Sequence, residues 1–200
     1  MSAAPPRNLN LPPFPPLEWE GYSWAGMVVL PAWAGFQNRR GSYDSVSDDS
    51  PSTGMVRLCL LPPGDRKHRL PPTAEQVAAY RFLTEHGKLV HDSVFQALFD
   101  EYPSMRAAWL DDYDIQDEDS EEAQEVPAIQ RPEQLRELMG LACVHVLAQA
   151  RQGIAFIGFE FGCVWEREHG LGVMTHTDRV LAIGDAETSF RAQAAWLEED

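Results

Sequence analysis

The chain has 200 residues, with 31 Asp or Glu against 16 Lys or Arg and a formal charge of −15. That length suits one domain with a real hydrophobic core. The charge opposes nucleic acid and anionic membranes as partners, because both require a basic surface.

Residues 1–16 hold six prolines, which favour extended backbone without ladder hydrogen bonds. They predict a flexible or surface-draped arm ahead of a single α+β domain over 17–200. No basic segment followed by an apolar run marks a secretory leader, and no apolar run approaches the ~18 residues of a membrane span. Between Leu17 and Gln37, Trp19, Trp24, Val28, Leu30 and Trp33 alternate with glycine and proline. This pattern predicts two or three short strands whose tryptophans fill the core. Residues 38–54 are polar and turn-forming, and predict a loop. Met55 to Leu61 reads as a strand stopped by Pro62 and Pro63.

At Pro72 the period changes. Thr73 and Gln76 have capping-box spacing, and Val77, Tyr80, Phe82 and Leu83 recur at helical intervals. A second helix is expected from about Leu89 to Tyr102, with Val90, Val94, Leu98 and Phe99 on one face. Gly87 either separates the two helices or kinks one long helix. His86 and His91 lie five apart, off the four-residue spacing of a helical metal pair, and read as surface residues.

Residues 111–125 carry nine acids and no base. They lack the glycine and the terminal glutamate of a helix–loop–helix calcium site. The segment is either a solvated acidic loop or a docking surface for a basic protein. Next, Arg131-Pro132-Glu133 opens a short helix, Leu141 to Ala150 forms a strand, and Arg151-Gln152-Gly153 makes a turn. From Ile154 the alternation of Ile157, Phe159, Phe161, Cys163 and Trp165 sets a buried strand. Glu166, Arg167, Glu168 and His169 then form a charged corner, with Gly170 and Gly172 allowing the chain to reverse. Val173 and Met174 start a return strand, Arg179 to Ile183 forms another, and a helix capped by Asp185 is expected over 186–199.

Cys59, Cys143 and Cys163 lie in apolar surroundings, and at least one must stay unpaired. They suit small buried hydrophobes in a reducing cytoplasm. At the corner, Glu166, Glu168, His169 and His176 have the atom types for a metal-dependent hydrolase, but not the spacing of a known zinc pattern. A structural turn, with the glutamate holding the imidazole, accounts for the same residues. No catalytic residue and no cofactor is assigned.

Cys163, Trp165, Glu168, His169, Gly170, Gly172 and Val173, in the pattern C-x-W-x-x-E-H-G-x-G-V, resemble the C-terminal signature of an uncharacterised bacterial domain family. The arginine-valine strand that follows and the earlier tryptophan-glycine strands resemble it too. Glu166 departs from the aspartate expected after the tryptophan. Members are small cytoplasmic α+β proteins suspected of acting as immunity proteins that neutralise bacterial toxins. The resemblance implies a binding protein rather than an enzyme. It carries over no catalytic residue.

Together these readings predict an α+β fold in which N-terminal and C-terminal antiparallel strands pack on a central helical pair. The expected function is a cytoplasmic immunity-type protein whose acidic surface binds a basic cognate toxin. Its contacts would be Trp109, Asp111, Asp112, Tyr113, Asp114, Asp117, Glu118 and Asp119. The alternative is a metal-dependent hydrolase at the Glu166–His169 corner.

Overall fold

Two antiparallel halves meet where Arg57–Leu60 runs parallel to Cys143–Val146. The computed structural model describes residues 7–39, 46–48, 50–64 and 69–193. In chain order the strands are β1 (Asn8–Leu9), β2 (Leu17–Trp19), β3 (Trp24–Val29), β4 (Asn38–Arg39), β5 (Val46–Asp48) and β6 (Met55–Leu60). After the helices come β7 (Met139–Arg151), β8 (Ile154–Cys163), β9 (Leu171–His176) and β10 (Arg179–Gly184). One eight-stranded sheet has the order β1-β2-β3-β6-β7-β8-β9-β10, and β4 and β5 form a separate pair. Every neighbour in the large sheet is antiparallel except β6 and β7. The fold is α+β with a mostly antiparallel sheet.

A parallel pair needs a long crossover. Here that crossover contains α1 (Ala74–Glu85) and α2 (Gly87–Asp112), which cover one face of the sheet. The Thr73 hydroxyl accepts from the Gln76 N–H, and the Gln76 side chain accepts from the Thr73 N–H, completing the capping box. Gln76 is fully buried, and its amide also donates to Leu61 O at 2.8 Å and Val146 O at 3.0 Å. It thereby fastens the start of α1 to the seam between the two halves. Gln76→Leu takes that donor from both carbonyls; Val146 O still accepts from the Leu61 N–H at 3.0 Å, whereas Leu61 O loses its side-chain partner, at about 1–3 kcal/mol. Urea unfolding is expected to show this loss; an unchanged midpoint would mean that the seam holds without the glutamine.

The chain breaks between the helices at His86, and α2 begins at Gly87. Its buried stripe runs through Val90, His91, Val94, Phe95, Leu98, Tyr102 and Arg106. The helix passes Pro103 and reaches Asp112, ten residues beyond the end expected at Tyr102. Anchors on both sides of the proline hold it: the Tyr102 hydroxyl donates to Pro127 O at 2.7 Å, and Arg106 Nε donates to Val126 O at 2.8 Å. His91, expected at the surface, is 6% exposed on that stripe. His86 is exposed, as expected.

Period-two alternation sorts the sheet into two faces. Toward the helices point Trp24 and Val28, Leu58 and Leu60, Val144 and Val146, and Ile157, Phe159, Phe161 and Cys163; these join the main core. Trp19, Trp24 and Trp33 are all buried there, although Trp33 lies in a 3-10 turn (Pro31–Trp33) and not in a strand. The opposite face carries a smaller cluster of Leu147, Phe156 and Met174. A 3-10 turn at Ala186–Ser189 crosses that face in place of the start of the helix expected over 186–199; residues 194–200 lie outside the described residues. Gly170 takes a positive φ of 65° at the corner. Gly172 has a different role from the reversal expected of it. It lies within β9, and an added Cβ would come 2.3 Å from Asp185 O, so the glycine makes room for the crossing turn.

The proline-rich arm was expected to be flexible or draped on the surface. From Arg7 onward it is described and packed: β1 pairs with β2, Phe14 is buried, and Leu9 and Leu11 rest on the core. Part of the loop expected over 38–54 is the β4–β5 pair.

Candidate functional site

The acidic segment folds back on the end of α2. Arg106 organises it, with Nε on Val126 O and one terminal nitrogen 2.8 Å from a Glu118 carboxylate oxygen. Ala123 and Val126 are fully buried beneath it. Within the loop, the Asp119 N–H donates to the Asp117 carboxylate and the Ala123 N–H to the Ser120 hydroxyl. These local bonds replace water on the backbone. The result is an ordered acidic shelf on which Asp111, Asp112, Asp114, Asp117, Glu118 and Asp119 are exposed.

That shelf faces the charged corner after β8. Between them is a groove of about 540 Å³. Trp109, Tyr113, Ile115, Val164 and Trp165 supply apolar walls, while Asp112, Glu122, Glu125, Glu166 and Glu168 stand among them. Arg167 and His169 are the basic members, and Arg167 is tied to Glu125 at 3.1 Å. Tyr113 is 68% exposed and lies tilted against Trp109 with ring centroids 5.2 Å apart; Trp165 meets Tyr102 edge-on at 5.1 Å. A second hollow of about 500 Å³ shares Trp109, Asp112, Trp165, Glu166 and His169 and extends toward Gly184 and Asp185. The two hollows together make a long acidic cleft with an aromatic lining.

Of the eight residues expected to contact a partner, Trp109, Asp112 and Tyr113 line this groove. Asp111, Asp114, Asp117 and Asp119 remain on the outer shelf, and Glu118 is engaged by Arg106. Sequence reasoning missed the contribution of Glu122, Glu125, Glu166 and Glu168 to the same surface. Glu125 and Arg167 have opposite charges, but 42 residues separate them and nothing local marks them as neighbours.

The four residues of the hydrolase alternative are not brought together. Glu166 accepts from the His169 N–H at 3.0 Å and lies 3.2 Å from its Nδ1, forming a small exposed turn. His176 is at the far end of β9, against Arg151 O at 3.0 Å and the Phe156 ring. Among the described residues, Cys59, Cys143 and His145 are the histidine, cysteine and carboxylate group whose ligand atoms converge, all within 4.8 Å of one another. They lie on the sheet face opposite the helices. Cys143 Sγ is 3.4 Å from Cys59 Sγ, and His145 Nε2 is 2.8 Å from a Glu160 carboxylate oxygen. The Cys143 S–H bond and the neighbouring Arg57 draw the Cys59 thiol toward its thiolate. The same bond, together with burial, holds the Cys143 thiol protonated. Cys163 is separate, in the main core, where burial pushes its thiol up to about 12.

No helix among the described residues is long and apolar enough to cross a membrane. No curated protein matches the chain, and no solved structure does. A family model described as a domain of unknown function, DUF6985, matches residues 32–190, from the 3-10 turn bearing Trp33 to the residue that follows the Ala186–Ser189 crossing. With most of its length inside that match, including the groove, the helical pair and the C-terminal sheet, the chain belongs to the DUF6985 family.

Proposed function

We propose that this protein is a binding protein of the immunity type, acting in the cytoplasm, whose acidic aromatic groove captures a basic segment of a cognate toxin. The observation that supports this most directly is the juxtaposition of Asp112, Glu122 and Glu168 with Trp109, Tyr113 and Trp165 around one cleft. Carboxylates steer a cationic partner and set its orientation, while aromatic anchors supply the desolvated contact that holds it. An exposed tyrosine packed against a tryptophan is the kind of side chain that carries binding energy at such centres. The net charge of −15 extends the attraction beyond the groove. The free cysteines are consistent with a reducing compartment.

The test is co-expression with the product of the neighbouring gene, followed by association kinetics on the purified pair. The triple variant Asp112→Lys/Glu122→Lys/Glu168→Lys is expected to slow association about tenfold or more at low salt. The wild-type rate should fall steeply with ionic strength. Absence of both rescue and complex formation rejects the reading. A complex whose rate ignores salt and the three reversals moves the contact elsewhere on the molecule.

A further inference from the structure

The outer face of the seam holds a second cluster that the groove does not use, and we propose that Cys59, Cys143 and His145 bind a zinc ion there, with Glu160 orienting the histidine. Two cysteines and an imidazole are the ligand types that zinc selects. With metal–sulfur bonds near ~2.3 Å and metal–nitrogen bonds near ~2.0 Å, tetrahedral ligands stand roughly 3.5–3.8 Å apart. Here the sulfurs are 3.4 Å apart and Cys143 Sγ is 4.0 Å from His145 Nδ1. Two of the three separations are thus close to those of such a tetrahedron and all three lie within 4.8 Å, so side-chain adjustments bring the atoms onto an ion.

The strand register holds them in place. Cys59 on β6 pairs directly with His145 on β7, and Cys143 precedes His145 by two residues, which puts it on the same face. Cys59, Cys143 and His145 are 4%, 5% and 8% exposed, so their rotamers are fixed by packing. His145 Nε2 is 2.8 Å from Glu160, itself on β8. A carboxylate at that nitrogen places the ring proton on Nε2 and leaves the Nδ1 lone pair facing the sulfurs, the usual arrangement behind a ligating histidine. Two buried cysteines packed only as small hydrophobes would need neither the histidine nor the carboxylate behind it.

Arg57 donates to Cys59 Sγ at 3.3 Å and pairs with Glu20. Binding releases the remaining thiol protons to solvent, and the ion's two charges then offset the two thiolates, while Glu160 stays against the His145 ring and Arg57 against Glu20. A cavity of about 390 Å³ opens beside the cluster, walled by Tyr22, Leu61 and Phe190. The Phe190 ring stands 5.3 Å from His145. The fourth coordination position faces this cavity and takes water, in the manner of zinc sites with three protein ligands.

The reduced, chelator-treated full-length chain is titrated with cobalt and then with zinc. One cobalt per chain, with a sulfur-to-cobalt charge-transfer band that zinc abolishes, is expected. Cys59→Ala and Cys143→Ala should each remove most of the band, whereas Cys163→Ala should retain it. Glu160→Gln should keep the band and weaken affinity about 10- to 100-fold. X-ray absorption on the zinc-loaded wild type gives a readout independent of any variant's folding, with two sulfurs and one imidazole expected. Failure of the reduced wild type to take up cobalt, or a metal shell without sulfur, overturns the proposal. So does a band that survives both cysteine substitutions.

Discussion

Gly158→Ala is expected to unfasten the C-terminal crossing turn and to cost about 3 kcal/mol. Gly158 is in the middle of β8, paired with His145 on one side and Met174 on the other. A Cβ there would lie 1.6 Å from Ser189 O, 2.4 Å from its carbonyl carbon and 2.7 Å from its Cα. All three are backbone atoms, so no rotamer change relieves the overlap. The strand tolerates alanine, so the crossing turn must lift away. Lifting it breaks the bond from the Ala186 N–H to His169 O at 3.1 Å and disturbs Ala192, which packs against the cluster of Leu147, Phe156 and Met174. It also draws Phe190 away from His145. Amide exchange over 185–190 should accelerate, and the urea midpoint should fall. Wild-type exchange in that turn would show that it does not rest on β8.

Trp33→Ala should be the most damaging single truncation in the main core. The indole is 2% exposed and stands between the 3-10 turn, α2 and β8. Its ring centroid lies 4.6 Å from His91, 5.4 Å from Phe36, 5.4 Å from Phe161 and 5.8 Å from Phe159. Removing a buried tryptophan costs about 3–5 kcal/mol, a large share of the roughly 5–15 kcal/mol that holds a domain folded. The loss also has a pH signature through His91. Burial lowers that imidazole's pKa, while the neighbouring Asp92 opposes the shift. Among the described residues, His91 Nε2 has no hydrogen-bond partner. A histidine held neutral in the fold binds its proton more readily when unfolded. Its contribution to stability is therefore complete above the unfolded value of ~6.5 and declines as pH drops below it. In Trp33→Ala, water reaches the ring through the adjoining cavity of about 540 Å³, and that acid-side decline should flatten. Urea midpoints measured on either side of pH ~6.5 for both proteins check this. An unaltered decline would place its origin at another group.

The sequence alone was enough for those features whose cause lies within a few residues. Thr73 and Gln76 announced the start of α1 because a capping box closes over one turn. The alternation of Ile157, Phe159, Phe161 and Cys163 announced a core strand because its period is local, and the β7–β8 hairpin followed from Gln152 and Gly153. Other features depend on groups distant in the chain. The two sheets merge because β6 and β7, some 80 residues apart, pair in parallel once the helices have crossed over. Residues 7–16 look like a loose arm from their prolines, but Phe14 and β2 give them a surface to pack on. Helical spacing extends the second helix only to about Tyr102, yet Tyr102 and Arg106 find carbonyl partners at 127 and 126 that carry α2 past Pro103. The groove joins acids at 112–125 to a corner at 164–169, and Cys59 meets Cys143 across 84 positions. No local period or spacing encodes such meetings. They arise when burying apolar faces settles the register of distant strands, and the polar groups carried on those strands are then brought side by side.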